Sequence, residues 1–143
     1  MSHDQIREFF DAQEEHWRAR DPVKLAGGHA EDGLIISPIF GTVTGRPAIR
    51  ASYESLFTIF PDWDYRADHI LIDLNGASVA EPFTATATHV GEFMGLAGCG
   101  RRFEIQGVRL FEMRDGLIAR ERRYYDFTGM LIQLGVLRGK PWI

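Results

Sequence analysis

The stretch Arg120-Glu121-Arg122-Arg123-Tyr124-Tyr125-Asp126 sets one carboxylate among three arginines and two tyrosines, just before a second carboxylate. A glutamate in such company is a candidate acid/base, and the guanidiniums can stabilise an enolate or a carboxylate of a substrate. Strand alternation decides which of these side chains share a face. From Phe103 to Met113 the odd positions are mostly large and apolar, while even positions carry Glu104, Gln106 and Glu112. The odd face is therefore the inward one, and Arg109 lies on it. An arginine there requires an acceptor, because an unpaired buried charge is costly.

The turn after this strand sets the register. Arg114-Asp115-Gly116 fits a three-residue loop with glycine in the left-handed position, which pairs Met113 with Leu117 and sets Arg109 opposite Glu121. Arg123 and Tyr125 then fall on the same inner face. A two-residue Asp115-Gly116 loop would instead turn Arg120, Arg122 and Tyr124 inward; the first is preferred because it gives Arg109 a carboxylate partner. On the preceding strand Val79, Phe83, Ala85, Ala87, His89 and Phe93 make an apolar face, so His89 is either a base or a satisfied core histidine. Asp126 precedes Thr128 and Gly129 at the spacing of a helix N-cap, which assigns it mainly to capping.

Other chemistries lack their signatures. The five histidines have no metal-ligand spacing, and Cys99 stands in a Gly-rich loop with no His or Asp next to it, reading as a bland residue. Neither a phosphate-binding loop nor a G-x-S-x-G elbow is present, so neither metal nor cofactor is expected. A net charge of −4 argues against nucleic acid, with the arginines between Arg101 and Arg123 as a local exception. The charged N-terminus has no apolar signal core, and no stretch reaches the ~20 apolar residues of a membrane span, so a cytoplasmic address is expected.

These residues must be positioned by an ordinary globular framework of 143 residues, 45% apolar and 25% charged, most simply one domain spanning 1–143. Ser2 and Gln5 have capping-box spacing ahead of Ile6, Phe9, Phe10 and Trp17, which predicts a first helix of about four turns. Asp21-Pro22 opens a short second helix that stops at Gly27-Gly28. Leu34–Thr44 reads as an irregular strand broken by Pro38 and Gly41, and Pro47 opens a third helix that ends at Pro61. Strands follow near Tyr65–Leu74 and Val79–Met94, joined through Asn75-Gly76, then at Arg101–Met113 and Leu117–Tyr125. A short helix after Asp126 closes near Gly135. Helices first and an antiparallel meander after them make an α+β domain with helices on one face of a curved sheet. Trp17, Phe40, Tyr53, Phe57 and Trp63 supply aromatic surface for a concave pocket, with Ser37 and Tyr125 as further substrate contacts; plain core packing is the alternative.

Thr88–Leu96 (THVGEFMGL), Gly100–Phe103 (GRRF), Asp115–Ile118 (DGLI) and Asp126–Gly135 (DFTGMLIQLG) together resemble the SnoaL-like polyketide cyclases of the nuclear transport factor 2-like superfamily. Thr44–Trp63 (TGRPAIRASYESLFTIFPDW) resembles that family's third helix. The resemblance implies a cone-shaped α+β barrel and ring closure by intramolecular aldol condensation without metal or cofactor. It also implies an inward Asp as acid/base, three residues before the Asp of the D-F-x-G motif. Here that position is Arg123, the histidine position two earlier is Glu121, and the neighbouring-strand histidine matches Arg109; the T-H-V-G histidine is kept as His89. A guanidinium cannot act as a base near neutrality. Glu121 is the expected substitute, with Arg109 and Arg123 as electrostatic clamps. The acid/arginine mix also resembles the superfamily's epoxide hydrolases, which use an Asp–Arg–Asp group; that version requires a second pocket carboxylate, which the sequence reading does not place.

Three readings follow. The first is a cofactor-free cyclase, isomerase or hydrolase acting on a small apolar or aromatic carbonyl compound. The second is a non-catalytic ligand-binding module. The third is a structural protein in which Arg109–Glu121 is a buried ion pair. The resemblance implies a homodimer under each, and no nucleic acid or membrane partner is expected.

Overall fold

A computed structural model describes residues 1–73, 75 and 77–138. The N-terminal helices form where local chemistry asks for them. Ser2 and Gln5 close a capping box on α1 (His3–Ala19), whose buried stripe is Ile6, Phe10, Gln13 and Trp17. Asp21 accepts from the Lys24 amide to cap α2 (Pro22–Gly27), with Pro22 in its first turn. Next come β1 (His29–Ser37), β2 (Gly41–Thr44) and α3 (Arg46–Ile59), the last presenting Ile49, Tyr53 and Leu56 to the core. Among the described residues no helix is long and apolar enough to cross a membrane.

The C-terminal half is β3 (Asp64–Ala67), β4 (Leu71–Ile72), β5 (Ser78–Thr88), β6 (Arg102–Arg114), β7 (Leu117–Tyr125) and α4 (Phe127–Gln133). One sheet runs β2-β1-β7-β6-β5-β3, with β4 also pairing to β5, and its ends do not close. It is antiparallel except at one seam, where β1 lies parallel to β7. The expected strand at Leu34 begins earlier, at His29, and carries that seam. The strand expected over Tyr65–Leu74 is two short pieces; Leu74 and Gly76 of the expected Asn-Gly turn lie outside the described residues. β5 stops at Thr88 rather than Met94, since past His89 the chain leaves its β6 partner and the Val90 and Gly91 amides donate to the Ile59 carbonyl at 2.9 and 3.0 Å.

The hairpin between β6 and β7 corrects the expected turn. Asp115 and Gly116, at φ 51° and 75°, form a two-residue loop that pairs Arg114 with Leu117. That register alone would bring Arg120 and Arg122 inward. Ala119 is an extra residue in β7, however: Met113 faces Ile118, yet Glu112 faces Arg120. The bulge returns Glu121, Arg123 and Tyr125 to the inner face and sets Arg109 opposite Arg123, with Glu121 opposite Phe111. The inward side chains meet a core of Trp17, Leu25, Ile35, Tyr53, Phe60, Trp63, Phe83 and Phe103, with Met130 and Leu131 of α4 and Leu134 just after it closing it.

Candidate functional site

Period-two alternation on β5, β6 and β7 delivers four charged groups, Glu81, Arg109, Glu121 and Arg123, toward this core. Arg109 is 3% exposed and Glu121 0%. The guanidinium donates from Nε to Glu121 Oε2 at 3.1 Å and from Nη2 to Oε1 at 3.0 Å, a forked pairing that satisfies both carboxylate oxygens. Arg123 Nε also donates to Glu121 Oε2, and its Nη2 donates to the Tyr53 hydroxyl at 3.2 Å. The Arg109 guanidinium is flanked by the rings of Trp17, Tyr65 and Phe111, 4.7–5.3 Å from its carbon, and Arg123 lies over Trp17 and Tyr53.

A second carboxylate completes the group. Glu81 on β5 is 4% exposed, and its Oε1 accepts from the Tyr65 hydroxyl and from Arg109 Nη1, the latter at 3.3 Å. Arg109 Nη1 also donates to the Tyr65 hydroxyl at 3.1 Å. Arg109 thus stands between two glutamates whose surroundings push them apart. Burial alone would raise the Glu121 carboxyl, but Arg109 and then Arg123 outweigh it and hold it well below the usual carboxylate range. Burial raises the Glu81 carboxyl, offset only in part by Arg109. Behind them His29 Nε2 lies 3.0 Å from the Tyr53 hydroxyl and 3.8 Å from Glu121 Oε1. Burial lowers His29 to about 4 against the pull of Glu121, and burial together with the Glu121 charge raises Tyr53 to about 12.

In front of the arginines lies a narrow hollow of about 20 Å³, open at its mouth, with room for about one water. Trp17, Ser37, Phe40, Trp63, Tyr125, Arg109 and Arg123 line it, together with Tyr65, Phe83, Ile105, Leu56 and Ile39. Burial pushes the Tyr125 hydroxyl up from its ordinary value. Gly107 lets Tyr125 into this wall: a Cβ there would sit 2.2 Å from the Tyr124 carbonyl oxygen and 2.9 Å from Tyr125 Cβ.

Most of the expected site residues therefore meet, and some do not. Glu121 is behind the wall rather than in it. Tyr53 supports Arg123 from behind, and Phe57 packs on Trp17 with ring centroids 5.9 Å apart. His89 is elsewhere: its ring lies against Phe60 and Phe93, and Nδ1 is 3.3 Å from Cys99 Sγ. Cys99 therefore does have a histidine neighbour, brought by the loop that closes between His89 and Arg101, and it also reaches the Leu134 carbonyl. Asp126 caps α4 by accepting from the Gly129 amide at 2.8 Å, as its spacing indicated. Glu81, Tyr65 and His29 were missed as site residues. The signal for Glu81 was present, because it falls between Val79 and Phe83 on the inward face; His29 follows two glycines with nothing to mark it. Among the described residues no cluster of three or more metal-ligating side chains occurs.

Residues 7–134 match the family model of the SnoaL-like polyketide cyclases. The aklanonic acid methyl ester cyclase DnrD of Streptomyces peucetius is 32% identical over 75 residues, which is 52% of this chain and 49% of the relative. The nogalonic acid methyl ester cyclase of Streptomyces nogalater is 34% identical over 77 residues, 54% of each chain. The chain thus spans about half the length of the curated relatives it matches. Among solved structures, IdmH from Streptomyces antibioticus is 28% identical with a TM-score of 0.74, covering 90% of this chain and 97% of that one. TsrD from Streptomyces laurentii, at 21% identity, shares the fold with a TM-score of 0.82 over 96% of this chain and 99% of its own.

Proposed function

Since the chain belongs to the SnoaL-like polyketide cyclase family, we propose that the hollow, widened as its lining side chains part, takes a small polyketide-like, carbonyl-bearing aromatic molecule and catalyses a cofactor-free reaction through its enolate, of the intramolecular aldol type. The observation that carries this reading is the pair Arg109 and Arg123, which edge a mostly apolar hollow while sharing Glu121 behind them. Guanidinium donors fixed in a dry site stabilise a developing oxyanion without reorganising. Arg123, at the family's acid/base position, cannot take the proton.

Glu121, the expected substitute, has a narrower part in this reading. Both its oxygens accept from guanidiniums, and a carboxylate held so far below its ordinary range is a weak base. It positions the two arginines. The proton from the substrate carbon passes instead to Glu81 through the Tyr65 hydroxyl, which lines the hollow and donates to Glu81. Two carboxylates shifted apart by their surroundings are the usual mark of divided acid/base labour. Turnover of a panel of β-keto esters, enones and epoxides by wild type, Glu81→Gln and Arg123→Gln tests the assignment. Ring closure or isomerisation by wild type, lost by about a hundredfold or more in Glu81→Gln, supports it. A folded Glu81→Gln of wild-type activity rules out Glu81 as the base.

One observation favours a second reading, epoxide hydration. Arg109 lies between two buried carboxylates, the order of the acid–arginine–acid group of the superfamily's epoxide hydrolases, with both carboxylates behind the wall of the hollow. Turnover of the epoxides alone would select it, and tight binding without any turnover would select the ligand-binding module. The homodimer expectation also belongs here: Leu110 and Tyr124 stand exposed on neighbouring strands, and sedimentation equilibrium tests whether two copies associate.

A further inference from the structure

Two of the chain's tryptophans have an unmet need. Trp17 is 2% exposed and Trp63 6% exposed, and both line the hollow in front of the arginines. Neither indole Nε1–H has an acceptor among the described residues. Buried N–H groups are paired in the great majority of proteins, so two orphans on one small cavity call for an explanation. An indole nitrogen can only donate. Arg123 adds to this edge: Nε and Nη2 are committed to Glu121 and Tyr53, and Nη1 makes no hydrogen bond among the described residues. The lining side chains include no carboxylate, carboxamide or imidazole, and the polar groups besides these donors are the Arg109 guanidinium and the hydroxyls of Ser37, Tyr65 and Tyr125. Of these, Ser37 Oγ already accepts from the Phe40 amide, and the Tyr65 hydroxyl is occupied by Glu81 and Arg109.

We propose that the indole N–H groups of Trp17 and Trp63 determine specificity: with Arg123 they form a donor-only edge that accepts a ligand carrying adjacent carbonyl oxygens and disfavours one whose oxygens bring protons of their own. This inference rests on the reading that the hollow is the substrate site, and it adds which chemical form of the ligand is taken. A ketone or ester oxygen satisfies an indole N–H outright. A hydroxyl in the same place accepts that bond too, but its own proton then meets a cavity short of acceptors. The site thus favours the oxidised, β-dicarbonyl form over its reduced β-hydroxy counterpart. Trp17 also serves as the platform under both guanidiniums, so its replacement would disturb the arginines as well; Trp63 isolates the donor role.

The test uses ethyl benzoylacetate and its β-hydroxy reduction product as matched probes, with binding followed by titration calorimetry and by the indole N–H resonances in a nitrogen–proton correlation spectrum. The expected result is that the keto probe binds wild type about tenfold more tightly than the hydroxy probe, with the Trp17 and Trp63 indole resonances moving downfield on saturation. In Trp63→Phe the gap should narrow to about twofold, mostly through loss of affinity for the keto probe. Unmoved indole resonances in the saturated wild-type complex, an unchanged gap in Trp63→Phe, or no binding of the keto probe would each overturn the inference. Because none of these readouts requires turnover, downfield shifts without catalysis would sink the enzymatic reading and leave this one standing. Turnover with silent indoles would do the reverse.

Discussion

Arg109 and Glu121 are joined by two hydrogen bonds of 3.1 and 3.0 Å with both side chains out of solvent, so each is the other's main compensation for burial. Removing one charge strands the other. Glu121→Gln is expected to lose about 3–5 kcal/mol of unfolding free energy in urea titration. Pairing it with Arg109→Met should recover part of that loss, since the stranded guanidinium is then gone. Simple additivity of the two substitutions would show that the pair is not coupled.

His29 makes stability depend on pH. Its folded value of about 4 lies below the ordinary imidazole value of about 6.5, so the unfolded chain binds the extra proton first. The stabilisation is complete above about pH 6.5 and is lost as pH falls toward the folded value. Between about pH 7 and about pH 5 the loss amounts to about 2 kcal/mol. Glu81, raised in the folded state, works in the opposite sense, and Glu121 adds its own loss only in more acid solution. The comparison with His29→Gln isolates the histidine: urea titrations of that variant should lack this slope, and an identical slope would remove His29 as its source.

Asp126 stands close to the candidate site in sequence but serves the backbone. Its carboxylate accepts from the Gly129 amide at the start of α4. Asp126→Ala should cost about 1 kcal/mol by thermal or urea unfolding and leave affinity for a β-keto ester within about twofold. Abolished binding in a folded variant would move Asp126 into the site.

Gly107 tests the wall of the hollow. Any added Cβ presses on the Tyr124 carbonyl and on Tyr125. Gly107→Ala is expected to destabilise by about 1–3 kcal/mol, and to weaken binding of ethyl benzoylacetate because Tyr125 must shift. A neutral effect on both would show that the strand relaxes without cost.

What could be read from the sequence was what local chemistry determines. Ser2 with Gln5, Asp21 with Pro22, and Asp126 with Gly129 each announce a helix end through their own short-range hydrogen bonds. The inward set Arg109, Glu121, Arg123 and Tyr125 is legible from alternation, although the turn beneath it is a two-residue loop and not the three-residue one its sequence suggests. The extra residue at Ala119 offset a turn one residue shorter than expected, and alternation alone carries no mark of a bulge. The parallel seam between β1 and β7 joins residues about 85 apart, for example Ile35 with Glu121, and nothing in either segment signals the other. His89 keeps the inward parity of β5 and is buried, but it lies past the strand's end against Phe60, Phe93 and Cys99, away from the hollow. Glu81 was readable, as an acidic residue in an inward apolar series.

Whether Arg109 and Arg123 stabilise an enolate in the hollow can be read from the ultraviolet titration of a bound β-diketone. The enolate absorbs apart from the neutral form, so its apparent pKa can be read in the saturated complex. With wild type the bound diketone should ionise at least one unit of pH lower than it does free in solution, about tenfold in acidity, and Arg123→Gln should lose most of that shift. A bound diketone that ionises no more easily than the free one, or an undiminished shift in Arg123→Gln, would contradict the claim.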